Sequence, residues 1–175
     1  MKWINVDERY LDYLRSFESR IPRTDYGTDR YKPFFGILFE TDDLYYVTQV
    51  SHAQERHRRM TQQKDFYKIY DLRQRNRLIA VINLNYMFPI PKQCTSDFRF
   101  GEIDTYRTFD SETEKSKYIN LLRLEMNAIN RLDIGSKAMD VYNLRYNEPE
   151  NVVSKRCIDF KYMENLAKQY IYSEQ

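Results

Sequence analysis

Glycine, cysteine and histidine are scarce in this chain, at four, two and two residues in 175. Four glycines are too few for a phosphate-cradling Gly-rich loop, and neither nucleotide-binding fingerprint occurs, which argues against dinucleotide and nucleoside-triphosphate enzymes. Cys94 and Cys157 make neither a disulfide framework nor a metal knuckle. His52 and His57 lie five apart, a spacing that does not stack two ligands on one helix face, and HExxH, DxD and EF-hand patterns are missing. No metal and no cofactor are therefore expected. No apolar run approaches the roughly 20 residues of a membrane span. The opening Met1-Lys2-Trp3-Ile4-Asn5 lacks the hydrophobic stretch of a secretion signal. The chain reads as cytoplasmic, reduced and without a membrane partner.

Aromatic rings are abundant by contrast, with 16 Tyr and 10 Phe. A tyrosine can fill a core with its ring while its hydroxyl reaches solvent, a backbone group or a nucleotide. The length suits one domain over 1–175, burying roughly two-thirds of its unfolded surface. Charge is unevenly spread. Residues 51–77 hold eight Lys/Arg against three acids, together with both histidines, so this segment carries about +5 in a chain of formal charge +2. Such asymmetry marks a face for a polyanion.

Lys2–Val6 alternates like a strand, and Asp7 can cap a helix carrying Tyr10, Leu14 and Phe17 on one apolar stripe. Ser19–Lys32 is a polar loop. Phe34–Glu40 and Leu44–Val50 read as a hairpin, and Phe66–Tyr70 and Leu78–Leu84 as two more strands around a solvated turn at Asp71–Arg77. The prolines of Phe88-Pro89-Ile90-Pro91 end the sheet region, because proline cannot donate to a central ladder. Helical patterns follow: one capped at Ser111 or Thr113, one over Ser136–Tyr146 stopped by Pro149, and one from Asp159. Strands first and helices afterwards predict an α+β fold, a twisted and mostly antiparallel sheet of about five to six strands flanked by helices.

The basic run begins Ser51-His52-Ala53-Gln54-Glu55-Arg56-His57-Arg58-Arg59 at the end of a strand pattern. A hydroxyl, two imidazoles and several guanidiniums delivered together suit a phosphodiester. RNA can be cut without metal when its 2′-hydroxyl attacks the neighbouring phosphorus. The protein then has to move protons and stabilise the added negative charge. Ser51 can donate to a phosphate oxygen or cap a strand end. Lys32, held extended before Pro33, can direct an ammonium at the phosphate or sit on the surface. Tyr10 is either a core ring or a phenol facing the cleft. His57 has the intrinsic pKa for proton transfer near neutrality. Arg56, Arg58, Arg59, Lys64 and Lys68 form a backbone-tracking patch, which supplies affinity and little sequence information.

Taken in order, several segments resemble the ToxN/AbiQ family of type III toxin–antitoxin endoribonucleases. They are Tyr10-Leu11-Asp12-Tyr13-Leu14, Lys32-Pro33-Phe34-Phe35-Gly36-Ile37, Ser51 with its basic follow-on, and Asp65-Phe66-Tyr67-Lys68-Ile69, then Val81-Ile82-Asn83-Leu84-Asn85-Tyr86-Met87-Phe88-Pro89-Ile90 and Cys157-Ile158-Asp159-Phe160. The Ile-Asn-x-Asn-x-Met-x-Pro block is the most specific. The resemblance implies a metal-independent endoribonuclease leaving 2′,3′-cyclic phosphate and 5′-hydroxyl ends, with a role in abortive infection. It implies cellular or phage RNA as substrate. It also implies a pseudoknotted repeat RNA antitoxin that the toxin processes and that inhibits it, in a closed toxin–RNA assembly, with a monomer as the expectation for the free protein. By position, Lys32 and Ser51 fall on the family's catalytic lysine and serine and Tyr10 on its helix tyrosine, while Tyr26 and Tyr31 both answer to its loop tyrosine. Arg30 and His52 join the expected RNA contacts. Relatives often continue the serine as Ser-Pro-Lys, whereas His52-Ala53-Gln54 follows here, so Arg56 or His57 would stand in for that lysine. Two other classes compete: a non-catalytic RNA-binding module, and a capsid-associated structural protein.

Overall fold

Residues 1–24, 34–41 and 43–170 are described by a computed structural model of the chain. After β1 (Trp3–Val6), Asp7 caps α1 (Glu8–Arg15), its carboxylate accepting from the Arg9 amide at 2.8 Å. Tyr10, Leu11 and Leu14 are buried on the inner stripe. Phe17, expected on the same stripe, is 50% exposed because the helix stops at Ser16 and the 3.6-residue period ends with it.

The hairpin of β2 (Phe34–Glu40) and β3 (Leu44–Thr48) forms as predicted. The Leu44–Val50 strand, however, divides at Gln49. β4 (Val50–His52) leaves the first sheet and pairs with β6 (Leu78–Asn83), which also pairs with β5 (Phe66–Tyr70). The expected mostly antiparallel sheet of about five strands is present, and β4, β6 and β5 add a second, giving two antiparallel sheets. One is β7-β3-β2-β1-β8, with β7 (Phe88–Pro91) and β8 (Thr95–Asp97) at its edges, and the other is β4-β6-β5. At the switch, the buried Thr48 hydroxyl donates to the Asn83 carbonyl at 3.0 Å and ties the two sheets together. Pro89 and Pro91 sit on an edge strand, where a missing N–H costs no ladder bond.

The short α2 (Glu55–Arg59) follows β4. Ser111 caps α3 (Glu112–Asn130), accepting from the Glu114 amide at 3.2 Å. α4 (Ile134–Asn147) begins two residues before the predicted start, after Asp133 turns the chain at φ 47°, a left-handed conformation that Asp tolerates. Gly135 allows the start of α4 to close on β2, since a Cβ there would stand 2.7 Å from the Leu38 carbonyl oxygen. α5 (Val152–Arg156) was not predicted; α6 (Phe160–Gln169) is capped by Asp159, as predicted. α6 packs on β7, α4 on β2, and α3 on β5 and β6, around one buried cluster that draws on both sheets.

Candidate nucleic-acid interface

The pleat of the small sheet decides which side chains meet. Ser51, Val81 and Lys68 form one cross-strand row, and Asn83 with Phe66 forms the next row on the same face. Val50, His52, Ala80, Ile82, Tyr67 and Ile69 face the opposite way. α2 lies over the Ser51 face: the His57 ring packs on Phe66 with centroids 6.3 Å apart, and Lys68 Nζ donates to the Arg58 carbonyl at 2.8 Å. α3 lies over the other face. There His52 Nδ1 is 2.9 Å from Glu125 Oε1, and its ring meets Tyr118 edge-on. His52 was expected to contact RNA beside Ser51. One residue of pleat instead turns it to the back of the sheet, where it partners a carboxylate that is 1% exposed.

His57 is buried, and its environment defines its chemistry. As the third residue of α2 it reaches back so that Nδ1 accepts from the Gln54 amide at 3.1 Å, the place a Glu or Gln takes in a capping box. On the other side of the ring Arg56 Nε is a donor 3.3 Å from Nε2, so both ring nitrogens face donors. Burial, and then the Arg56 charge, hold the imidazole below the ordinary histidine pKa. Near neutrality the His57 ring is therefore held toward its uncharged form.

A groove of about 390 Å³ opens beside His57, walled by Phe66, Asn83, Asn85, Tyr86 and Arg156. Arg156 grips the buried Asp65 through both carboxylate oxygens, with Nε to Oδ2 at 2.5 Å, and also donates to Gln63. Of these residues only His57 was singled out as a site residue from sequence. Asn83, Asn85 and Tyr86 stood in the most specific block of the resemblance, but residue type and spacing do not disclose which amide is left without a partner.

The cations are spread around this face. Arg56, Arg58, Arg59 and Lys64 are exposed, Arg58 with Glu55 3.3 Å away. The Asp71–Arg77 turn is more than a solvated connection, because Gln74, Arg75 and Arg77 share a shallow depression of about 450 Å³ with Arg58. Tyr10 is the core ring of its two readings. It is fully buried, its hydroxyl donates to the Pro89 carbonyl at 2.7 Å, and burial raises the phenol far above its ordinary pKa, so it moves no protons near neutrality. Lys32, Tyr26, Arg30 and Tyr31 lie outside the described residues. Gly36 pairs with Thr48, so the start of β2 and the Thr48–Ser51 exit from β3 share one end of the large sheet. Among the described residues no three His, Cys, Asp or Glu side chains gather as a metal site, and no helix is long and apolar enough to cross a membrane.

Two antiparallel sheets backed by helices, with a hydroxyl and cations on one face, make this an α+β domain with a candidate polyanion-binding surface. The chain belongs to the family described as Toxin ToxN, type III toxin–antitoxin system, whose profile it matches over residues 2–168. Endoribonuclease ToxN of Pectobacterium atrosepticum is 24% identical over 92 residues, 51% of this chain and 54% of that protein. The aligned region thus spans about half the length of that curated relative. AbiQ, described as a lactococcal anti-phage endoribonuclease belonging to the type III toxin–antitoxin system, superposes with a TM-score of 0.75 at 17% identity, covering 97% of this chain and 96% of AbiQ. A chain from work on selective toxin inhibition by a non-coding RNA pseudoknot superposes at 0.74 and 18% identity, covering 97% and 96%. Another, from work on a processed non-coding RNA that regulates a bacterial antiviral system, does so at 0.75 and 19%, covering 97% and 99%. At these identities the likeness is one of fold.

Proposed function

We propose that this protein is a cytoplasmic, metal-independent endoribonuclease toxin of a type III toxin–antitoxin system, acting in phage defence. Its substrates are cellular or phage transcripts, and a pseudoknotted repeat RNA that it processes inhibits it within a toxin–RNA assembly. The observation that carries this reading is the gathering of Ser51, His57 and the α2 cations on one face of the small sheet, in a chain of the ToxN family.

Cleavage follows from the groups on that face. The ribose 2′-hydroxyl gives up its proton as its oxygen bonds to phosphorus, the P–O5′ bond breaks, and the leaving 5′-oxygen takes up a proton, giving a 2′,3′-cyclic phosphate and a 5′-hydroxyl. Negative charge grows on the non-bridging oxygens in the transition state, so donors fixed there beforehand lower the barrier. The Ser51 hydroxyl donates to those oxygens, the Lys32 ammonium neutralises them, and the His57 imidazole exchanges protons with the reacting groups. The register that brings the start of β2 beside the exit from β3 supports this role for Lys32. Arg56, Arg58, Arg59, Lys64 and Lys68 track the backbone and make affinity dependent on salt.

The test is cleavage of the protein's own repeat transcript in EDTA. Cyclic-phosphate and 5′-hydroxyl ends are expected, whereas 5′-phosphorylated products lacking a 3′-phosphate would refute the mechanism. Ser51→Ala and Lys32→Ala should lose cleavage while still binding RNA. Wild-type binding without cleavage would instead favour a non-catalytic RNA-binding module.

A further inference from the structure

The connection between β5 and β6, Asp71-Leu72-Arg73-Gln74-Arg75-Asn76-Arg77, holds three arginines and one acid, and that acid is buried. The Asp71 carboxylate accepts from the Arg73 amide at 2.8 Å and from the Arg77 guanidinium at 3.3 Å. The Asp71 amide donates to the Arg77 carbonyl at 2.9 Å, and the Arg77 amide to the Gln74 carbonyl at 2.8 Å. These bonds close the turn on itself and hold it in one shape, with the negative charge inside and residues 72–77 exposed.

Beside the turn lies the C-terminal end of α2, tied to the small sheet where the Lys68 ammonium donates to the Arg58 carbonyl. Between the two elements is the depression of about 450 Å³, lined by Arg58, Gln74, Arg75, Asn76 and Arg77. Guanidiniums and amides line it, with neither a carboxylate nor an aromatic ring. Arg58 and Arg77 each have an acidic partner at 3.3 Å, but both side chains are half-exposed, and a guanidinium has five N–H donors, so donors remain for a ligand. Arg75 has no ion-pair partner among the described residues. Planar guanidiniums match phosphate oxygens two at a time, and with no ring to stack a base the depression suits a nucleic-acid backbone.

Its position relative to Ser51 follows from the register. Leu78 pairs with Tyr70 at the turn end of the sheet, three residues along β6 from Val81, the partner of Ser51. At about 3.3 Å per residue the turn starts roughly 10 Å from the Ser51 row. A phosphate held at Ser51 does not reach the depression, whereas a further stretch of the same RNA does.

We propose that this depression is an exosite for RNA backbone phosphates beyond the cleaved bond, gripped between the β5–β6 turn and α2. The proposal rests on the RNA cleavage proposed above and adds a second foothold to it. Backbone contacts carry no base information, so the exosite acts on affinity and leaves the choice of cleavage sequence to other residues. Because the turn and α2 are each held in place by internal bonds, little ordering is needed when the strand arrives.

The experiment uses the full chain and a single-repeat RNA of its own transcript, made in 2′-O-methyl form so that the attacking hydroxyl is absent. Each phosphate in turn is replaced by an uncharged methylphosphonate, and fluorescence anisotropy reads binding. For the wild type, one or two replacements away from the Ser51-bound phosphate should weaken binding about three- to fivefold, the size of a partly exposed charge contact. Arg75→Ala should weaken the unmodified RNA by a similar factor and become insensitive to those same replacements. It should also lower the slope of log K against log salt by about 0.7, and Arg75→Lys, which keeps the charge, should restore that slope. With the cleavable RNA, Arg75→Ala should raise the half-saturating protein concentration more than it lowers the saturating single-turnover rate. Sensitivity at a single phosphate only, or an Arg75→Ala profile that matches the wild type, overturns the exosite. Arg75 is exposed, and a thermal melt checks that its variants fold. If the wild-type chain binds but cuts nothing, the nuclease reading fails, and the methylphosphonate profile still decides the exosite.

Discussion

Replacing His52 by leucine separates stability from RNA contact. The His52 side chain is 34% exposed and Glu125 only 1%, with Nδ1 and Oε1 at 2.9 Å. Leucine keeps most of the volume under α3 but leaves the Glu125 carboxylate without its imidazole partner. A hydrogen bond to a charged group contributes roughly 1.5–3 kcal/mol, and removing one partner of a fully buried ion pair costs about 3–5 kcal/mol. Because water reaches the imidazole side, the lower range applies, and about 2–3 kcal/mol of destabilisation is expected. For a chain of this size that amounts to roughly 4–12 °C in Tm. Urea unfolding at neutral pH measures it. The double variant His52→Leu/Glu125→Leu should recover at least about 1 kcal/mol as a coupling term. RNA affinity of the folded variant should stay at the wild-type value, since the sheet separates His52 from the Ser51 face. A variant that melts like wild type but binds RNA weakly would refute this placement and return His52 to the RNA contacts.

Three other outcomes follow from named contacts. His57 is held below the ordinary histidine pKa, so as pH falls below about 6.5 the unfolded chain takes up a proton that the folded ring refuses. Stability contributed by the neutral ring is thus present above about pH 6.5 and lost until the folded group titrates. His57→Gln, which can keep the cap on Gln54, should flatten that part of the stability–pH curve, and an unchanged slope would assign it to another group. Gly135→Ala sets a Cβ 2.7 Å from the Leu38 carbonyl oxygen and should cost about 1–3 kcal/mol in denaturant unfolding; a neutral result would mean that α4 and β2 part easily. Arg59→Ala should weaken RNA binding alike for all sequences and reduce the slope of log K against log salt by about 0.7, whereas an unchanged slope would remove Arg59 from the phosphate path.

Much of the local structure was legible in the residues. Asp7, Ser111 and Asp159 cap helices because their oxygens reach amides two or three residues ahead, a relation contained in a few consecutive positions. Pro89 and Pro91, expected to end the sheet region, instead lie within the edge strand β7, where their missing N–H faces away from the ladder, and β8 follows them. The excess of charge in residues 51–77 likewise belongs to composition, and α2 with the β5–β6 turn carries it to the surface.

The break at Gln49 was not legible, since Leu44–Val50 holds no glycine or proline to mark an end and only pairing partners elsewhere in the chain draw Thr48 into one sheet and Val50 into the other. The amino-acid sequence alone determined the α+β class, the helix caps and the excess of positive charge in residues 51–77, because each depends on neighbours along the chain or on totals. Tertiary structure alone decided that Ser51 and His52 part to opposite faces, that the Tyr10 hydroxyl is spent on Pro89, and that the His57 ring closes the cap of α2. Each of these is set by what lies across a sheet or under a helix.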